Sequence, residues 1–366
     1  MSIEASAGAG RDGAGTGGAH TGRPEDRPGP TGREVRLAAR PHGEPGPENF
    51  ELVSTTVPAP GPGQILVRNT WMSVDPYMRG RMDDRKSYMP PFRVGAALDG
   101  AAIGEVVTSE APAVPVGATV SHSLGWREYA VLDATAATVV DTSVAPAEAY
   151  LGVLGIPGLT AYVALTDTAP VRPGDVVFVS AAAGAVGSLA GQFARRLGAA
   201  RVIGSAGGPE KARRLVEEFG YDAAVDYRAG SVRAQLATAA PEGIDVYLDN
   251  VGTDHLAAAL DALHIGGRVA LVGAISLYNA TAPVPGPTNL VLALTKRLSL
   301  RGMLVTDHLD RLADYLPLAT GWLADGSLHT ANTVRDGIEA APDAFLEMLR
   351  GGNVGKMLVR LAAGAG

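Results

Sequence analysis

The stretch VFVSAAAGAVGSLAGQFARRLG, residues 177–198, runs from β-branched residues through a turn of small residues into an amphipathic segment. This order predicts a buried strand, a turn containing Gly184 and Gly187, and a helix that continues through Gly191. Small residues let the backbone approach a pyrophosphate, and the amides at a helix N-terminus point at its negative charge. Ala182 stands where the dinucleotide-binding pattern has its first glycine, so small residues that merely pack a helix onto a sheet are the alternative.

From Asp175 onwards the chain alternates between strands and helices. The predicted strands are VVFVS, RVIGS, AAVDY, DVYLDNV, GRVALVGA and LSLRGMLV. The predicted helices between them begin near Val186, Pro209, Ser231 and Thr253, with Ser231 and Thr253 as N-caps. Near-continuous apolar strands with helical crossovers indicate a Rossmann-like, doubly wound parallel sheet in an α/β fold. Two helices, 309–325 and 336–350, and a strand, GKMLVRL, follow it.

The amino-terminal part of the chain has a different sequence pattern. Between Arg33 and Pro146, short alternating stretches with Pro/Gly punctuation predict the strands EVRLAAR, QILVRNTWMSV, GAAIGEVVTS, ATVSHS and REYAVL. We therefore expect a β-rich domain over residues 33–150, a nucleotide-binding domain over 151–328 and a carboxyl-terminal segment over 329–366. Residues 1–32 are rich in glycine and almost lack large apolar side chains, so we expect a disordered tail there.

The composition narrows the classes of protein. The chain has 366 residues, of which 46% are hydrophobic and 19% charged, which is typical of a globular protein with two domains. A net charge of −7 without a Lys/Arg run argues against nucleic-acid binding. With no apolar run of membrane-spanning length and no secretory signal, we expect a cytoplasmic protein that does not bind membranes.

Metal chemistry has little support in the sequence. The chain has no cysteine, which excludes disulfides, thiolate nucleophiles and cysteine-bearing zinc sites. Its seven histidines show no close pair and no H-E-x-x-H spacing, so each is expected at the surface or in a loop rather than as a ligand. We therefore predict no metal site.

The end of the second strand of the series bears on the cofactor. A site for NAD places Asp or Glu there to bind the ribose 2′-hydroxyl. Here IGSAGGPEKARR has Ser205 among small residues, and Lys211 follows within a turn. Tyr227 and Arg228, at the end of the third strand, would close the same pocket. The missing acid and the two cations favour NADP, with an ordinary solvated surface as the alternative for Lys211 and Arg228.

Polar residues also end the fourth and fifth strands, at the edge where ligands sit in open α/β sheets. DVYLDNVG ends with Asn250, and LVGAISLYN delivers Tyr278 and Asn279. The structural alternatives are that Asn250 caps the turn before Thr253 and that Tyr278 packs beside the Pro-rich loop 281–288.

Several motifs taken together resemble one family. They are SVDPYMRGRM (73–82), IPGLTAYVAL (156–165), AAAGAVGSLAGQFARRLGA with IGSAGGPEKARRL, DVYLDNVG, AISLYN and GGNVGK (351–356). In this order, over about residues 33–361, they resemble the zinc-independent medium-chain dehydrogenase/reductases, and more narrowly the prostaglandin reductase, curcumin reductase and plant double-bond reductase branch. The resemblance implies a GroES-like β-rich domain interrupted by a Rossmann domain, a last segment that returns to the first domain, and a homodimer.

The resemblance also implies an activity and a set of site residues. The activity is NADPH-dependent reduction of the C=C bond of α,β-unsaturated ketones and aldehydes. The implied contacts are Gly184, Ala185, Val186 and Gly187 at the pyrophosphate, Ser205, Lys211 and Tyr227 at the 2′-phosphate, Asn250 and Asn353 at the nicotinamide half, and Tyr77, Tyr278 and Asn279 in the substrate cleft. The segment GSAGGPEK departs from the pattern, because a glycine and a proline replace a common polar pair.

Conjugate reduction needs a hydride for the β-carbon, a group that stabilises negative charge on the carbonyl oxygen, and a proton for the α-carbon. No Lys, Arg or metal is obviously placed for that charge, so a phenol or a cofactor ribose hydroxyl is the expected donor. Tyrosine is protonated at neutral pH. Tyr278 is the first candidate, Tyr77 the second and Tyr88 the third, with solvent water as a rival.

Other expectations concern the walls of the cleft and the function itself. Loops 83–93 and 281–290 are predicted to form the walls, and Arg79 and Arg81 are expected in structural ion pairs or at the surface rather than at a substrate carboxylate. A quinone reductase or zinc-free alcohol dehydrogenase on the same scaffold is the second function. A non-enzymatic NADPH-binding structural or regulatory protein is the third.

Overall fold

The computed structural model describes residues 29–361. The amino-terminal part contains β1 (Thr31–Leu37), β2 (Phe50–Thr56), β3 (Gln64–Ser73), α1 (Tyr77–Arg81), β4 (Ala102–Ser109), β5 (Thr119–His122), β6 (Tyr129–Asp133) and β7 (Thr138–Val139). The central part contains α2 (Ile156–Val163), β8 (Val176–Val179), α3 (Gly187–Arg196), β9 (Arg201–Ala206), α4 (Pro209–Glu217), β10 (Ala223–Asp226), α5 (Val232–Ala239), β11 (Ile244–Asp249), α6 (Thr253–Ala262), β12 (Leu263–Leu271), α7 (Val291–Thr295) and β13 (Ser299–Gly302). The last part contains α8 (Leu312–Ala324), β14 (Asn332–Asp336), α9 (Ala341–Leu349) and β15 (Lys356–Arg360).

The central strands form one parallel sheet in the order β10-β9-β8-β11-β12-β13. This is the strand order of the Rossmann fold: successive strands are added on one side of β8 as far as β10 and then on its other side from β11 onwards. Alternate residues of β8 enter two different cores: Val177 and Val179 pack with Phe193 on one face, and Phe178 stacks on Tyr247 on the other. Both faces are covered, as the apolar strands predicted.

The second sheet has the order β14-β15-β3-β4-β5-β7, and β6 also pairs with β3. β15, near the end of the described chain, lies antiparallel beside β3. α9 packs on the same side, where the Phe345 ring meets the rings of Trp126 and Phe50 at centroid distances of 6.1 and 6.0 Å. The carboxyl-terminal segment thus packs onto the amino-terminal part of the chain.

Some local predictions were wrong. β2 was not predicted, and β1, its antiparallel partner, begins at Thr31, inside the segment predicted as a disordered tail. The rest of that predicted tail, up to residue 28, lies outside the described residues. Among residues 29–361 no helix combines the length and the apolar character that a membrane span requires.

One of the two predicted helix caps is confirmed. The Ser231 hydroxyl accepts a hydrogen bond from the backbone amide three residues further on, at 3.4 Å. Thr253 is not an N-cap: it is the first helical residue, with φ +43°, and Gly252 precedes it as the cap. The carboxylate of Asp249 organises this turn instead, because its Oδ1 accepts from the amides of Val251 and Gly252 at 2.9 and 2.8 Å.

Candidate active site

A cavity of about 1070 Å³ lies between the two sheets, at the carboxyl ends of β8, β11 and β12. Ligands of open α/β sheets bind at this edge, next to the point where the strand order reverses. From the amino-terminal part it is lined by residues 74–77 and Tyr88, and from the carboxyl-terminal part by residues 348–351, Asn353, Lys356 and Met357.

The turn after β8 contains the residues predicted to contact the pyrophosphate. Ala181 and residues 183–187 line the cavity, and none has a side chain larger than valine. No backbone carbonyl within residues 29–361 accepts from the amides of Ala185, Val186 or Gly187. α3, ten residues long, begins there, so these amides and the helix dipole favour a negatively charged group. The turn fits the pyrophosphate of a dinucleotide.

Gly187 has no room for a side chain. A Cβ atom there would lie 2.5 Å from both the carbonyl oxygen of Ala181 and the Cα of Ala182, and these backbone atoms cannot move aside. We expect Gly187→Ala to cost roughly 1–3 kcal/mol of stability through overpacking. The displaced turn should also bind a dinucleotide at least about tenfold more weakly. Thermal unfolding and cofactor titration check both effects.

Gly321→Ala, in α8, is the matched control for Gly187→Ala. A Cβ atom there has no heavy atom within 4 Å. Alanine in a helix is favoured over glycine by about 0.5–1 kcal/mol, so this variant should keep or raise the Tm. If Gly187→Ala had an unchanged Tm and cofactor affinity, the close approach would have no consequence for the site.

The predicted 2′-phosphate residues do not all reach the cavity. Lys211 and Tyr227 line it together with Ala206 and Gly207, at the end of β9. Ser205 does not, because it lies inside β9 rather than in the turn beyond, and its side chain is fully buried. Arg228, which is not part of the lining, donates to the carbonyl of Arg350 at 3.2 Å.

Lys211 also joins two parts of the chain. Its Nζ donates to the carbonyls of Gly351 (2.6 Å) and Asn353 (2.5 Å), in the turn between α9 and β15. Burial, and next the positive charge of Arg228, lower the pKa of the Lys211 ammonium. Lys211 therefore contacts both the cavity and the segment that carries Asn353.

Asn250 and Asn353, the residues expected at the nicotinamide half, both line the cavity. The Asn250 side chain donates to the carbonyl of Ser180 at 2.7 Å, which holds it between the ends of β8 and β11. The Asn353 amide donates within its own turn, at 2.8 Å. Asp249 caps the turn that was the structural alternative for Asn250, so Asn250 does not serve that purpose.

The three predicted phenols, Tyr77, Tyr88 and Tyr278, all line the cavity. Burial is the main cause that raises the pKa of each. Asp75 raises the pKa of Tyr77 further, and the proximity of Tyr278 raises that of Tyr88. All three are therefore protonated at neutral pH and able to donate a hydrogen bond.

Asn279 does not line the cavity. Its Oδ1 accepts a hydrogen bond from Arg79 Nε at 3.1 Å, and Arg79 also pairs with Asp83 at 2.7 Å. Arg81 pairs with Asp99. Both arginines are buried, so the expectation that they form structural ion pairs is confirmed.

The predicted walls are only partly correct. Tyr88, in loop 83–93, lines the cavity, but no residue of loop 281–290 does. The latter loop is tied to α6, where the Asn289 amide donates to the Asp261 carboxylate at 2.8 Å. Residues 303–306, directly after β13, line the cavity in its place.

Two buried titratable residues of the lining were missed. Lys356 is 3% exposed and donates to Asp75, and His255 is 6% exposed with its ring 5.7 Å from that of Tyr227. The expectation that each histidine lies at the surface or in a loop was therefore wrong for His255, in α6, and for the buried His122, whose pKa burial lowers to about 4. A signal for Lys356 existed, because it begins the apolar strand KMLVR.

Metal ligands do not cluster in the part of the chain that the structure describes. No group of three His, Asp or Glu side chains within residues 29–361 is arranged to hold an ion. The lining of the cavity combines backbone amides and apolar side chains with asparagine amides, phenols and two lysines, and it also contains Asp75, Asp254 and His255.

Two family models match the chain, one described as the N-terminal domain of oxidoreductase over residues 33–140 and one as zinc-binding dehydrogenase over residues 185–321. The chain is 39% identical to the NADPH-dependent curcumin reductase of Escherichia coli over 331 residues, which cover 89% of this chain and 96% of the relative. The chain belongs to the zinc-independent medium-chain dehydrogenase/reductases. The predicted family is therefore confirmed.

Further relatives fall in the same branch of this family. The chain is 36% identical to a tobacco NADP⁺-dependent 2-alkenal reductase, over 90% of this chain and 97% of the relative, and 37% identical to mouse prostaglandin reductase 1, over 87% and 95%. The crystal structure of CurA in complex with NADPH from Vibrio vulnificus matches with a TM-score of 0.86 and 38% identity, over 90% of this chain and 99% of that one. The predicted fold class is confirmed as well.

Proposed function

We propose that this protein uses NADPH to reduce the C=C bond of α,β-unsaturated ketones and aldehydes. The observation that carries the proposal is one cavity in which a turn suited to a pyrophosphate, a lysine beyond the end of β9 and three protonated phenols all meet. Relatives named as curcumin, 2-alkenal and prostaglandin reductases use the same fold. These relatives confirm the predicted class of enzyme and the predicted cofactor, NADP(H).

Different groups of residues are proposed to bind different parts of NADPH. In our proposal the amides of residues 185–187 bind the pyrophosphate, Lys211 and Tyr227 bind the 2′-phosphate, and Asn250 and Asn353 orient the nicotinamide half. NADPH, when bound, supplies the hydride. No carboxylate lines the cavity at the end of β9, where an acid would select NAD instead.

The phenols serve the carbonyl end of the substrate. Negative charge develops on the carbonyl oxygen as the β-carbon receives hydride, and a hydrogen-bond donor fixed beforehand stabilises that charge without reorganising. Tyr278 is the proposed donor, with Tyr77 and Tyr88 beside it. Tyr77 and Tyr278 are partly buried, whereas Tyr88 is 55% exposed. A hydrogen bond is stronger where less water competes for it, which favours Tyr278 and Tyr77 over Tyr88 as donors. The α-proton comes either from Tyr278 or from water, and the two sources predict different stereochemistry of the product.

A panel of substrates tests the function. Full-length protein is assayed with NADPH or NADH against an enone, a quinone and a secondary alcohol, with the cofactor absorbance as the readout. We expect turnover with the enone and NADPH to exceed the other combinations. Faster quinone reduction or alcohol oxidation would favour the second function. Binding of NADPH that raises the Tm without any turnover would favour a non-enzymatic protein.

For the oligomeric state we propose a homodimer. β13 is the last strand of the parallel sheet, and beyond β12 it pairs with no other strand of the described chain. Apolar side chains are exposed around this edge: Ile265 (66%), Val291 (63%) and Leu294 (77%). An open edge beside exposed apolar residues is a surface that a second copy of the same strand would cover.

The cytoplasmic location of the protein stays a prediction.

Leu294→Glu should convert the dimer to a monomer, because a charge in an apolar interface loses its hydration without a partner. Light scattering after size exclusion measures the mass. Val116→Glu, at a valine that is 61% exposed in the other domain, is the control and should leave the mass unchanged. A wild-type protein that is monomeric at micromolar concentration would contradict the proposed dimer.

A further inference from the structure

Lys356 places a buried charge in the cavity wall that the proposed reaction does not use. It is the first residue of β15 and is 3% exposed. Its Nζ donates to Asp75 Oδ1 at 2.7 Å and to the carbonyl of Val74 at 2.8 Å. The Asp75 side chain is 19% exposed, so the pair is buried mainly on its lysine side. A buried charge is costly to desolvate, and such a pair is often no more stabilising than apolar packing, so stability alone gives little reason for it.

Asp75 connects this lysine to the reactive end of the cavity. It lies two residues before Tyr77, and its negative charge is, after burial, the largest cause that raises the pKa of the Tyr77 phenol. The other oxygen of the carboxylate accepts from the Ser73 hydroxyl. Lys356 therefore pairs with Asp75, the carboxylate that lies nearest to Tyr77 in the sequence.

The backbone fixes Lys356 relative to the cofactor turn. Its amide donates to the carbonyl of Ala331 at 2.9 Å, and the amide of Gly355 donates to the carbonyl of Ala183, in the turn after β8, at 2.8 Å. Gly355 has φ +67°, and a Cβ atom there would lie 1.8 Å from the Ala331 oxygen. A side chain is therefore excluded at this crossing, and the ammonium group keeps its place between the turn and Asp75.

We propose that Lys356 is a positioning residue that compensates the charge of Asp75 at the reactive end of the cavity. Without it, the carboxylate would oppose the negative charge that develops on the substrate oxygen. Asp75 would also lose the partner that fixes residues 74–77 and, with them, the position of the Tyr77 phenol. This inference rests on the proposed reduction of enones, in which that oxygen gains charge.

The test compares Lys356→Met with the double variant Lys356→Met/Asp75→Asn. We expect Lys356→Met to lower kcat for an enone about 10- to 100-fold, less than the factor of about 10²–10³ that loss of a direct oxyanion donor costs, because Lys356 acts through Asp75. NADPH affinity should change less than about twofold, since the cofactor contacts are elsewhere. The double variant should recover at least about tenfold in kcat over Lys356→Met, because a neutral amide no longer opposes the charge.

Lys296→Met is the matched control, because Nζ of Lys296 also donates to backbone carbonyls, at Leu260, Asp261 and Leu263, away from this cavity. It should keep the wild-type kcat. A wild-type kcat in Lys356→Met would overturn the inference, and so would a double variant that binds NADPH yet is no faster than Lys356→Met. If Lys356→Met loses NADPH binding, the double variant decides: turnover within about tenfold of wild type supports the inference, and lower turnover overturns it.

The same assay separates this inference from the proposed function. A wild-type protein that binds NADPH without reducing any enone would contradict the function itself. A wild-type protein that reduces enones, together with an equally fast Lys356→Met variant, would contradict only the role of Lys356.

Discussion

Lys211→Ala should bind NADPH about 10- to 100-fold more weakly than the wild type, whereas its affinity for NADH should change less than about threefold. A hydrogen bond to a charged group contributes about 1.5–3 kcal/mol, and about 1.4 kcal/mol corresponds to a factor of ten. Only NADPH carries the 2′-phosphate, and Lys211 lines the cavity just beyond the end of β9. Titration of each variant with both cofactors, followed by fluorescence, measures the difference.

Lys211 also makes hydrogen bonds within the protein, and these define the result that would contradict the predicted preference for NADPH. Its hydrogen bonds to the carbonyls of Gly351 and Asn353 hold the turn before β15. If these bonds were the whole contribution of Lys211, both cofactors would lose affinity equally, because Asn353 is proposed to contact the nicotinamide half, which NADPH and NADH share. Equal loss would therefore contradict the phosphate role. Lys296→Ala removes a comparable set of carbonyl contacts outside the cavity and should change neither affinity.

Much of the fold was predictable because burial on both faces leaves a direct trace in the sequence. The strands β8 and β11 read VVFV and IDVYLD, and their apolar residues enter cores on both sides of the sheet. β2 leaves no such trace: FELVSTT pairs only with β1, and most of its residues stay partly exposed. A half-exposed strand with mixed polarity gives a weak signal.

The site was predictable where it follows from topology. Asn250 directly follows β11, and Gly184 and Tyr278 lie in the loops that follow β8 and β12; the carboxyl ends of these parallel strands meet at one edge. Ser205 shows the limit of this reasoning, because the strand extends one residue beyond it and its side chain stays inside.

Other parts of the site depend on packing between distant segments. Lys356 and Asp75 are 281 residues apart in sequence, and their pairing requires β15 to return to β3. Residues 303–306 line the cavity, whereas loop 281–290 is held against α6. Neither feature can be read from a local sequence pattern, because each depends on how segments that are distant in sequence pack together.

Tyr278→Phe should lower kcat for an enone about 100-fold and leave the Kd for NADPH within about twofold. Loss of one donor to a developing oxyanion costs a factor of about 10²–10³. Phenylalanine keeps the ring, so packing in the cavity is preserved. Because burial raises the pKa of Tyr278, the phenol stays protonated as the pH rises, and the wild-type kcat should not fall through phenol ionisation below about pH 10.

Two further variants rank the phenols. Tyr77→Phe should lower kcat less than Tyr278→Phe, and the double variant shows whether the two act together or independently. Tyr150→Phe is the matched control, because its hydroxyl donates to the carbonyl of Asp141 outside the cavity, and it should behave as wild type. An undiminished kcat in Tyr278→Phe would contradict the proposed donor and leave water or a cofactor hydroxyl in its place.

The stereochemistry of the product distinguishes a hydrogen-bond donor from a proton source at Tyr278. In D₂O the α-carbon receives deuterium, and a fixed phenol that delivers it would add it to one face. If Tyr278 delivers the proton, the Phe variant should be slow and should also lose this facial preference, because free water then protonates the enolate. If Tyr278 only stabilises the oxygen, the variant should be slow with the preference intact, because the α-proton then comes from a path that the substitution leaves unchanged.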